Sequence, residues 1–423
     1  MDKSIVNMIN LYIINEKSRA AIYGIGTYIR ELLIALKDSN IAIYVVNLHS
    51  EKPNNEQKDK EGIQNLYFPS PLNWETSLDR NTLSDFYYRN VVYLLQLHIT
   101  NRENLVFHLN NNKCCELVNS LRKTFVCKII AVTHYSEWGF IIYGNINQLR
   151  DVLKKKQSND FNKSLKKSVE DEISFYIKVD HIICLSKNMY EILSMDYGIE
   201  SSKITIIPNG LTDSKTTIAC RKSLYQKWHI SSREKIVFFA GRMDEIKGLS
   251  YLIKAFRQLL NSYPKCRLVI AGNGSFDIYM KECEDIWMHI TWTGMVSKDK
   301  LYDLYAIADI GVMPSFHEQC SYVAIEMMMH GMPLIASTST GLKEMVTDGV
   351  TGLHIPVIAH PDSVEIDTDL LAEKMLYLLQ HPAEAKAMGR NGRKRYLKEY
   401  TSEIFRRNML DFYQSLFTID FHV

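Results

Sequence analysis

Net charge is almost absent from this 423-residue chain, because 50 Lys and Arg residues face 48 Asp and Glu residues and leave a formal charge of +2 at pH 7. This balance argues against a dedicated nucleic-acid binder, since such proteins carry a strongly basic surface. Glycine (19 residues) and proline (10 residues) are too scarce for a fibrous or largely disordered chain. We therefore expect a folded protein, and its length predicts two domains of about 200 residues each.

Long hydrophobic runs are missing as well. No stretch approaches the ~20 uninterrupted apolar residues that a membrane-spanning helix needs. The first residues lack the cleavage pattern of a secretory signal and predict a β-strand instead. The eight cysteines are scattered without C-x-x-C spacing, which favours reduced thiols over a zinc site or a disulfide framework. These absences predict a soluble protein of the cytoplasm.

What the sequence does contain is a regular alternation of two patterns. Short apolar runs rich in β-branched residues alternate with segments whose apolar residues recur every three or four positions. Continuous apolar strands separated by helices are typical of parallel sheets covered on both faces, so the pattern predicts an α/β fold with two Rossmann-like domains. The predicted strands are 41–48, 105–109, 128–133, 181–185, 204–207, 236–240, 267–271, 310–313 and 334–336, and the predicted helices include 27–37, 249–260, 322–330 and 370–379.

The predicted boundary between the domains follows residues 206–210, Ile-Ile-Pro-Asn-Gly, where a strand ends and a polar segment begins. The amino-terminal domain is then 1–210 and the carboxy-terminal domain 211–401. Within the first, residues 150–167 are rich in lysine. This stretch has two interpretations, a solvated helix face or a peripheral contact with an anionic membrane or acidic substrate.

The segment with the most chemical information is 314–326, which leaves strand 310–313 and enters a helix. A helix start presents unsatisfied N–H groups and a positive dipole end, which together favour phosphate binding. Glu318 lies on the loop and Glu326 in the second turn, and carboxylates accept hydrogen bonds from sugar hydroxyl groups. The two glutamates beside a diphosphate would suit a sugar nucleotide, although by spacing alone two solvent-facing glutamates are the simpler interpretation.

The turn after strand 236–240 is the second such segment. Gly241 lets a ligand approach the backbone, and Arg242 and Lys247 are placed to clamp a diphosphate. Taken alone, an exposed Arg and Lys on a loop is the simpler interpretation. Both segments, however, follow the carboxyl ends of predicted parallel strands, where open α/β sheets bind ligands. This shared position favours a functional site.

The turn 241–248, together with Glu318 and Glu326, resembles the signature of the GT-B glycosyltransferases of family 4, bacterial type. Residues 206–210 resemble the boundary segment of that family. Residues 268–274 (Leu-Val-Ile-Ala-Gly-Asn-Gly) resemble its L-V-I-x-G-x-G strand and turn, and residues 293–296 resemble its nucleotide-base loop. The resemblance implies two Rossmann-like domains whose parallel sheets face an interdomain cleft. It also implies a final helix, about 402–417, that packs back on the amino-terminal domain.

The same resemblance implies roles for particular residues. Arg242 and Lys247 would hold the donor diphosphate, Glu326 the ribose and Glu318 the transferred sugar. The predicted catalytic residues are Glu318, His134, Lys247 and Arg242. The predicted donor-binding residues are Gly24, Gly26, Gly241, Arg242, Lys247, Gly272, Met295, Val296, Glu318, Gln319, Cys320, Ser321, Tyr322 and Glu326. No metal or other cofactor is implied, and the expected donor is a UDP- or GDP-sugar.

In the amino-terminal half, residues 23–32 resemble the glycine loop of the family that approaches the donor phosphate, here with Gly24 and Gly26. A nicotinamide-dependent dehydrogenase is the competing interpretation. It is disfavoured because Ile29 replaces the third glycine of G-x-G-x-x-G and no acidic residue ends a second strand near Asn47.

Residues 131–135 resemble the family's strand that ends in a histidine facing the sugar and the acceptor. That histidine is His134, while Tyr135 stands where the family usually has aspartate. His108 and Asn110 follow another strand and are weaker candidates, since a histidine at a strand end is often only a hydrogen-bonded structural group.

The sequence also departs from the family. Gln319, Cys320 and Ser321 stand where members commonly have Gly-Phe-Gly, which narrows the space beside the sugar. Cys320 has no base partner in the sequence and is expected to be a packing residue rather than a nucleophile. Residues 367–369, Asp-Thr-Asp, match the metal-binding D-x-D of the other large glycosyltransferase fold, but they precede a helix, where acidic residues cap N–H groups.

The resemblance therefore implies a hexosyltransferase-like enzyme that moves a sugar from a nucleotide-diphosphate sugar to an acceptor hydroxyl, retains the anomeric configuration and needs no metal. The acceptor is a glycan, a lipid-linked sugar or a peptide. Two alternatives stay open: an epimerase of nucleotide sugars with the same fold, and a non-catalytic binding subunit.

Overall fold

The computed structural model describes residues 8–16, 24–53, 55–58, 62–70, 79–110, 114–154, 159–214 and 221–417. The described residues form two compact units. The first unit holds the residues up to 136, residues 160–208 and the last helix from residue 402, and the second unit holds 137–159 and 209–401. The sequence-based division differs at two places, because it assigned 137–159 and 209–210 to the amino-terminal domain.

Strands and helices alternate along most of the chain, as the apolar pattern predicts. The strands are β1 (Ile9–Glu16), β2 (Ile41–Ser50), β3 (Asn55–Lys58), β4 (Gln64–Pro69), β5 (Leu105–Leu109), β6 (Cys127–Thr133), β7 (His181–Cys184), β8 (Ile204–Ile206), β9 (Lys235–Ala240), β10 (Cys266–Ala271), β11 (Ile290–Gly294), β12 (Ile310–Met313), β13 (Leu334–Ser337), β14 (Gly352–Ile355), β15 (Val357–Ala359) and β16 (Val364–Ile366).

The α-helices are α1 (Gly24–Leu36), α2 (Arg80–His98), α3 (Cys115–Thr124), α4 (Glu137–Ile141), α5 (Ile146–Lys154), α6 (Asp160–Lys178), α7 (Lys187–Glu191), α8 (Arg221–Lys227), α9 (Leu249–Ser262), α10 (Phe276–Glu282), α11 (Lys298–Ile307), α12 (Tyr322–His330), α13 (Leu342–Met345), α14 (Thr368–Gln380), α15 (Pro382–Glu399) and α16 (Ser402–Ser415). A π-helical turn, Ile192–Asp196, continues α7, and single 3₁₀ turns span Ser201–Lys203, Glu245–Lys247 and Trp287–His289.

Each unit is built on one main sheet. In the first unit the strand order is β3-β4-β2-β1-β5-β6-β7-β8, parallel except for the antiparallel edge strand β3. In the second unit the order is β11-β10-β9-β12-β13-β14, parallel throughout, and β15 and β16 form a separate hairpin. These sheets confirm the predicted α/β class with two Rossmann-like domains.

The central strands of the sheet in the second unit are apolar and buried on both faces. Every residue of β12 and β13 is buried. Helix α9 places Leu249, Leu252, Ile253 and Phe256 on one face, at the three- and four-residue spacing of an amphipathic helix, and all four join the core of this unit. This rigid base holds the loops that follow β9 and β12.

The structure also corrects the predicted elements. Strands β3 and β4 lie where the sequence predicted no strand. Strand β3 was missed because it is a short polar strand at the edge of the sheet, where one side lacks a partner strand. Strand β4, which lies between β3 and β2, was missed because its apolar run is only three residues long, Leu66 to Phe68. The prediction that the acidic residues of Asp-Thr-Asp cap a helix is confirmed, since the Asp367 carboxylate accepts hydrogen bonds from the backbone N–H groups of Asp369 and Leu370 at 2.9 and 3.0 Å.

The basic stretch 150–167 is helical where the structure describes it, in the end of α5 and the start of α6. Lys163 pairs with Asp160 at 3.0 Å and Lys167 with Asp171 at 2.9 Å, as on an ordinary solvated helix face. A contact between this stretch and an anionic membrane stays a prediction. Among the described residues, no helix combines the length and apolar character that crossing a membrane would require.

Candidate functional site

The loop after β9 carries the first group of predicted site residues. Gly241, at φ +155°, directly follows the strand and packs against the end of β10. A Cβ atom on Gly272 would lie 1.8 Å from the Gly241 carbonyl oxygen, so these strand ends can approach each other only because residue 272 is glycine. The Arg242 guanidinium pairs with Asp244 at 3.0 Å and lies over the ring of Phe140, 5.8 Å from its centroid.

Lys247 and Glu318 meet directly, although 70 residues separate them in the sequence. The Lys247 Nζ donates to Glu318 Oε1 at 2.5 Å, and the two side chains are 17% and 13% exposed. Lys247 ends the 3₁₀ turn after β9, and Glu318 lies in the loop after β12, a neighbour of β9 in the sheet. A cation and a carboxylate are therefore in contact at a partly buried position, at the carboxyl ends of the strands in the sheet of the second unit.

The backbone of Glu318 is held from the other side by residues that follow β13. The Thr340 hydroxyl accepts from the Glu318 N–H at 3.0 Å and donates to the Glu318 carbonyl. That carbonyl also accepts from the Gly341 N–H at 2.8 Å. A Cβ on Gly341 would lie 1.8 Å from the Gln319 carbonyl oxygen, so this contact requires glycine. Neither Thr340 nor Gly341 was predicted from the sequence.

His317, beside Glu318, is clamped by helix α4. It is 4% exposed, and its ring lies 5.5 Å from the ring of Trp138. A Cβ on Gly139 would lie 2.3 Å from His317 Nε2, so the glycine makes room for the imidazole. Burial lowers the pKa of His317 to about 4, and the imidazole is therefore neutral near pH 7. Neither ring nitrogen has a hydrogen-bond partner among the described residues.

Other contacts fix the segment 137–159 on the second unit. The Tyr143 hydroxyl donates to Glu245 Oε2 at 2.6 Å, and the Asn145 amide donates to the His360 carbonyl at 2.7 Å. Helix α4 thus borders both loops that carry predicted site residues. These contacts are the physical reason why the segment belongs to the second unit. They join residues far apart in the sequence, so no local sequence pattern predicts them.

Helix α12 begins where the predicted phosphate site places it. Ser321 is its N-cap, with the hydroxyl accepting from the Ala324 N–H at 3.4 Å. Glu326, in the second turn, accepts from the Tyr305 hydroxyl at 3.0 Å, and Lys298 Nζ lies 3.9 Å from its other oxygen. Gln319 and Ser321 are buried, and Tyr322 is half-buried. The Glu326 carboxylate therefore has protein partners already, and Tyr305 and Lys298 are further residues that sequence reasoning missed.

Cys320 behaves as a packing residue. Its side chain is 7% exposed, and burial raises the pKa of its thiol to about 12, so the thiolate needed for nucleophilic attack is scarce at neutral pH. Its carbonyl accepts from the Asn209 amide at 2.7 Å.

The predicted donor-binding residues Met295 and Val296 follow strand β11. The Met295 side chain is 64% exposed, and Val296 is half-buried.

The remaining predicted residues lie in the first unit. Gly24 opens α1, and Gly26 lies in its first turn. The His134 Nε2 donates to the Asn110 Oδ1 at 2.8 Å, which leaves Nδ1 as the hydrogen-bond acceptor of this ring. Burial, with a smaller contribution from His108, lowers the pKa of His134 to about 3, so its imidazole is neutral near pH 7.

His108 differs from His134 in having partners on both ring nitrogens. Its Nδ1 lies 2.8 Å from the Tyr413 hydroxyl and its Nε2 3.3 Å from the Tyr28 hydroxyl, and the residue is fully buried. These bonds tie α1 and the last helix, α16, to β5. His108 is thus a hydrogen-bonded structural group, whereas Asn110 holds the candidate His134.

Two family descriptions match this chain and together cover most of it. "Glycosyltransferase Family 4" matches residues 22–215, and "Glycosyl transferases group 1" matches residues 221–395. The chain belongs to the family 4, group 1 glycosyltransferases. The match to residues 221–395 includes Arg242, Lys247, Glu318 and Glu326, the four residues that carried the resemblance in the sequence.

Two curated relatives match at 28–29% identity. One is an uncharacterized glycosyltransferase of Methanocaldococcus jannaschii, 29% identical over 44% of this chain and 50% of the relative. Another is the lipopolysaccharide 1,2-N-acetylglucosaminetransferase of Salmonella typhimurium, 28% identical over 44% of this chain and 52% of the relative. The chain spans about half the length of the curated relatives it matches.

Solved structures match over nearly the whole chain and show the fold, which is GT-B. Sucrose-phosphate synthase from Thermosynechococcus elongatus matches with a TM-score of 0.76 at 20% identity, covering 97% of this chain and 99% of that one. Anabaena HepE in complex with UDP and glucose matches with a TM-score of 0.69 at 15% identity, covering 96% and 100%.

Proposed function

We propose that this chain transfers a sugar from a UDP- or GDP-sugar to an acceptor hydroxyl of a glycan, a lipid-linked sugar or a peptide. The observation that carries the proposal is the Lys247–Glu318 pair. Lys247 comes from the loop after β9, and Glu318 comes from the loop between β12 and α12. The pair joins a cation suited to a diphosphate and a carboxylate suited to sugar hydroxyl groups in one partly buried place.

Breakage of the bond between a sugar and a diphosphate requires groups that stabilise the developing charges. As the bond between the sugar and the diphosphate breaks, negative charge grows on the leaving phosphate and positive charge on the anomeric carbon. In the proposed site Lys247, Arg242 and the N–H groups at the start of α12 stabilise the departing diphosphate. Glu318 binds the transferred sugar, and the acceptor hydroxyl is the nucleophile. From the family resemblance we further propose that the anomeric configuration is retained and that no divalent metal is needed.

His134 is the proposed contact to the sugar and acceptor in the first unit. Its Nε2 proton is directed to Asn110, so Nδ1 offers a neutral acceptor for a hydroxyl hydrogen. Because its pKa is depressed to about 3, the ring does not serve as a proton reservoir at neutral pH. This fits a role in orienting a hydroxyl rather than in donating a proton.

Turnover of a donor panel tests the proposal. The purified protein is incubated with UDP-, GDP-, ADP- and TDP-sugars, each with and without a panel of glycan, lipid-linked sugar and peptide acceptors, in EDTA or in Mg²⁺, and release of the nucleoside diphosphate is measured. We expect release from the sugars of one nucleotide, at a rate that EDTA leaves within about twofold. Conversion to a different nucleotide sugar without release would indicate an epimerase, and no reaction with any donor would indicate a binding subunit.

A further inference from the structure

Both cations of the proposed diphosphate site already have a carboxylate partner in the same unit. Lys247 contacts Glu318 at 2.5 Å, and the Arg242 Nη1 lies 3.0 Å from Asp244 Oδ2. The two carboxylates differ in what the proposed reaction asks of them. Glu318 is proposed to bind the transferred sugar, whereas no step of the proposed reaction uses Asp244. The Arg242–Asp244 pair is therefore a contact within the site that the proposed function leaves unexplained.

The loop that carries the two cations has no net charge. Residues 241–248 contain Arg242 and Lys247 together with Asp244 and Glu245, so two positive charges accompany two negative ones. A loop that served only to attract a diphosphate would keep its positive charge in excess. Instead, an anion lies two residues away from a cation that the diphosphate is proposed to contact.

The Asp244 side chain is turned toward Arg242 although its position offers other partners. Asp244 is the N-cap of the 3₁₀ turn Glu245–Lys247, and an aspartate at an N-cap usually accepts hydrogen bonds from the N–H groups that follow it. Here the side chain makes no such bond, and the Lys247 N–H donates to the Asp244 backbone carbonyl at 2.9 Å. The turn is therefore closed by the backbone, and the carboxylate is left to pair with Arg242.

Arg242 is also held in place by an aromatic ring. Its guanidinium lies 5.8 Å from the centroid of the Phe140 ring, which comes from helix α4. The Arg242 and Asp244 side chains are 25% and 35% exposed, so water screens their attraction only in part while a phosphate can still reach the pair. A phosphate that contacts this guanidinium approaches a carboxylate of like charge. The two anions therefore compete for one cation.

We propose that Asp244 is an internal competitor of the donor diphosphate. It pairs with Arg242 in the free enzyme, gives up this cation when the nucleotide binds, and pairs with it again as the nucleoside diphosphate leaves. The proposal deepens the proposed function and rests on it. In this account Asp244 weakens nucleotide binding and shortens the time for which the product stays bound. It contacts no reacting atom, so it controls release and is not a catalytic residue.

Titration of Asp244→Asn with the nucleoside diphosphate that binds the wild type, in EDTA, tests this inference. Asparagine keeps the size of the side chain and removes its charge. Glu245→Gln is the matched control, because it makes the same change of charge one residue further along the same loop. The Glu245 carboxylate accepts from the Tyr143 hydroxyl at 2.6 Å, a bond that the oxygen of a glutamine side chain can also accept.

We expect Asp244→Asn to bind the diphosphate about fivefold more tightly than the wild type or better, with most of the gain in a slower dissociation rate. Glu245→Gln should stay within about twofold of the wild type. The variants Arg242→Met and Arg242→Met with Asp244→Asn complete a double-mutant cycle. Their affinities should agree within about twofold, because the cation for which the two anions compete is gone.

Equal affinity of Asp244→Asn and the wild type, or an unchanged dissociation rate, would overturn the inference. Weaker binding by Asp244→Asn would also overturn it and would show that Asp244 instead positions Arg242 for the phosphate. The same gain in Glu245→Gln or in the Arg242→Met background would overturn it as well, since the gain would then come from the charge of the loop and not from competition for Arg242. Failure of the wild type to bind any diphosphate would instead be a failure of the proposed function.

Discussion

Replacing Glu318 by glutamine will lower the turnover of the nucleotide sugar by about 100-fold or more while the protein stays folded. The substitution keeps the size of the side chain but removes the negative charge that Lys247 contacts at 2.5 Å. Removal of one preorganised polar group from a catalytic site typically costs 10²–10³ in turnover. The measurement is kcat/KM with the best donor, together with the melting temperature.

The second unit offers a matched control for this variant. Glu234 and Arg267 form another partly buried pair, with both carboxylate oxygens accepting from the guanidinium at 2.9 and 3.1 Å and side chains 19% and 20% exposed. This pair lies at the opposite, amino edge of the sheet. Glu234→Gln should cost a similar amount of stability and leave kcat/KM within threefold. If Glu318→Gln retained more than a third of the activity, the assigned role of Glu318 would be wrong.

Substituting Gly341 by alanine will have the second largest effect, although no predicted site includes this residue. Its φ is −71°, an ordinary value, so the effect is steric and not conformational. The added Cβ would lie 1.8 Å from the Gln319 carbonyl oxygen. Because the Gly341 N–H also holds the Glu318 carbonyl at 2.8 Å, relief of the clash must displace the loop that carries Glu318.

We expect kcat/KM of Gly341→Ala to fall at least about 30-fold, with a loss of roughly 1–3 kcal/mol in the free energy of unfolding, as in other overpacked sites. Gly392→Ala is the control, since its new Cβ would make ordinary contacts of 3.5 Å or more inside helix α15. That variant should keep its activity and its melting temperature. Wild-type values of both quantities in Gly341→Ala would refute the role of this glycine in holding the Glu318 loop.

The sequence predicts the apolar elements of the fold well and the polar edges badly. Strands β5 and β12 and helix α12 begin and end at the predicted residues, because each is a continuous apolar run or a regular helical pattern between clear stops. Strand β3 was not predicted because an edge strand needs no apolar alternation on its open side, and β4 beside it was not predicted because its apolar run is very short. The placement of 137–159 depends on contacts such as Gly139 with His317, which no local pattern encodes.

The site divides in the same way. Lys247 and Glu318 could be predicted one by one, because each follows the carboxyl end of a buried strand and fits a family signature. Their direct contact, and the support of Glu318 by Thr340 and Gly341, depend on three loops meeting at one sheet edge. Tyr305 reaches Glu326 from another helix for the same reason, and burial raises the pKa of its hydroxyl, so it stays protonated and donates.

The central claim is that Lys247 and its neighbours form a diphosphate site in the second unit, and calorimetric titration with nucleoside diphosphates tests it most directly. UDP, GDP, ADP and TDP are titrated in EDTA into the wild type, Lys247→Met and the control Lys254→Met, which removes an exposed lysine of helix α9. We predict that one diphosphate binds the wild type and Lys254→Met equally and binds Lys247→Met at least tenfold more weakly, a difference of about 1.4 kcal/mol. Equal affinity for Lys247→Met and the wild type, or no binding of any diphosphate, would contradict the account.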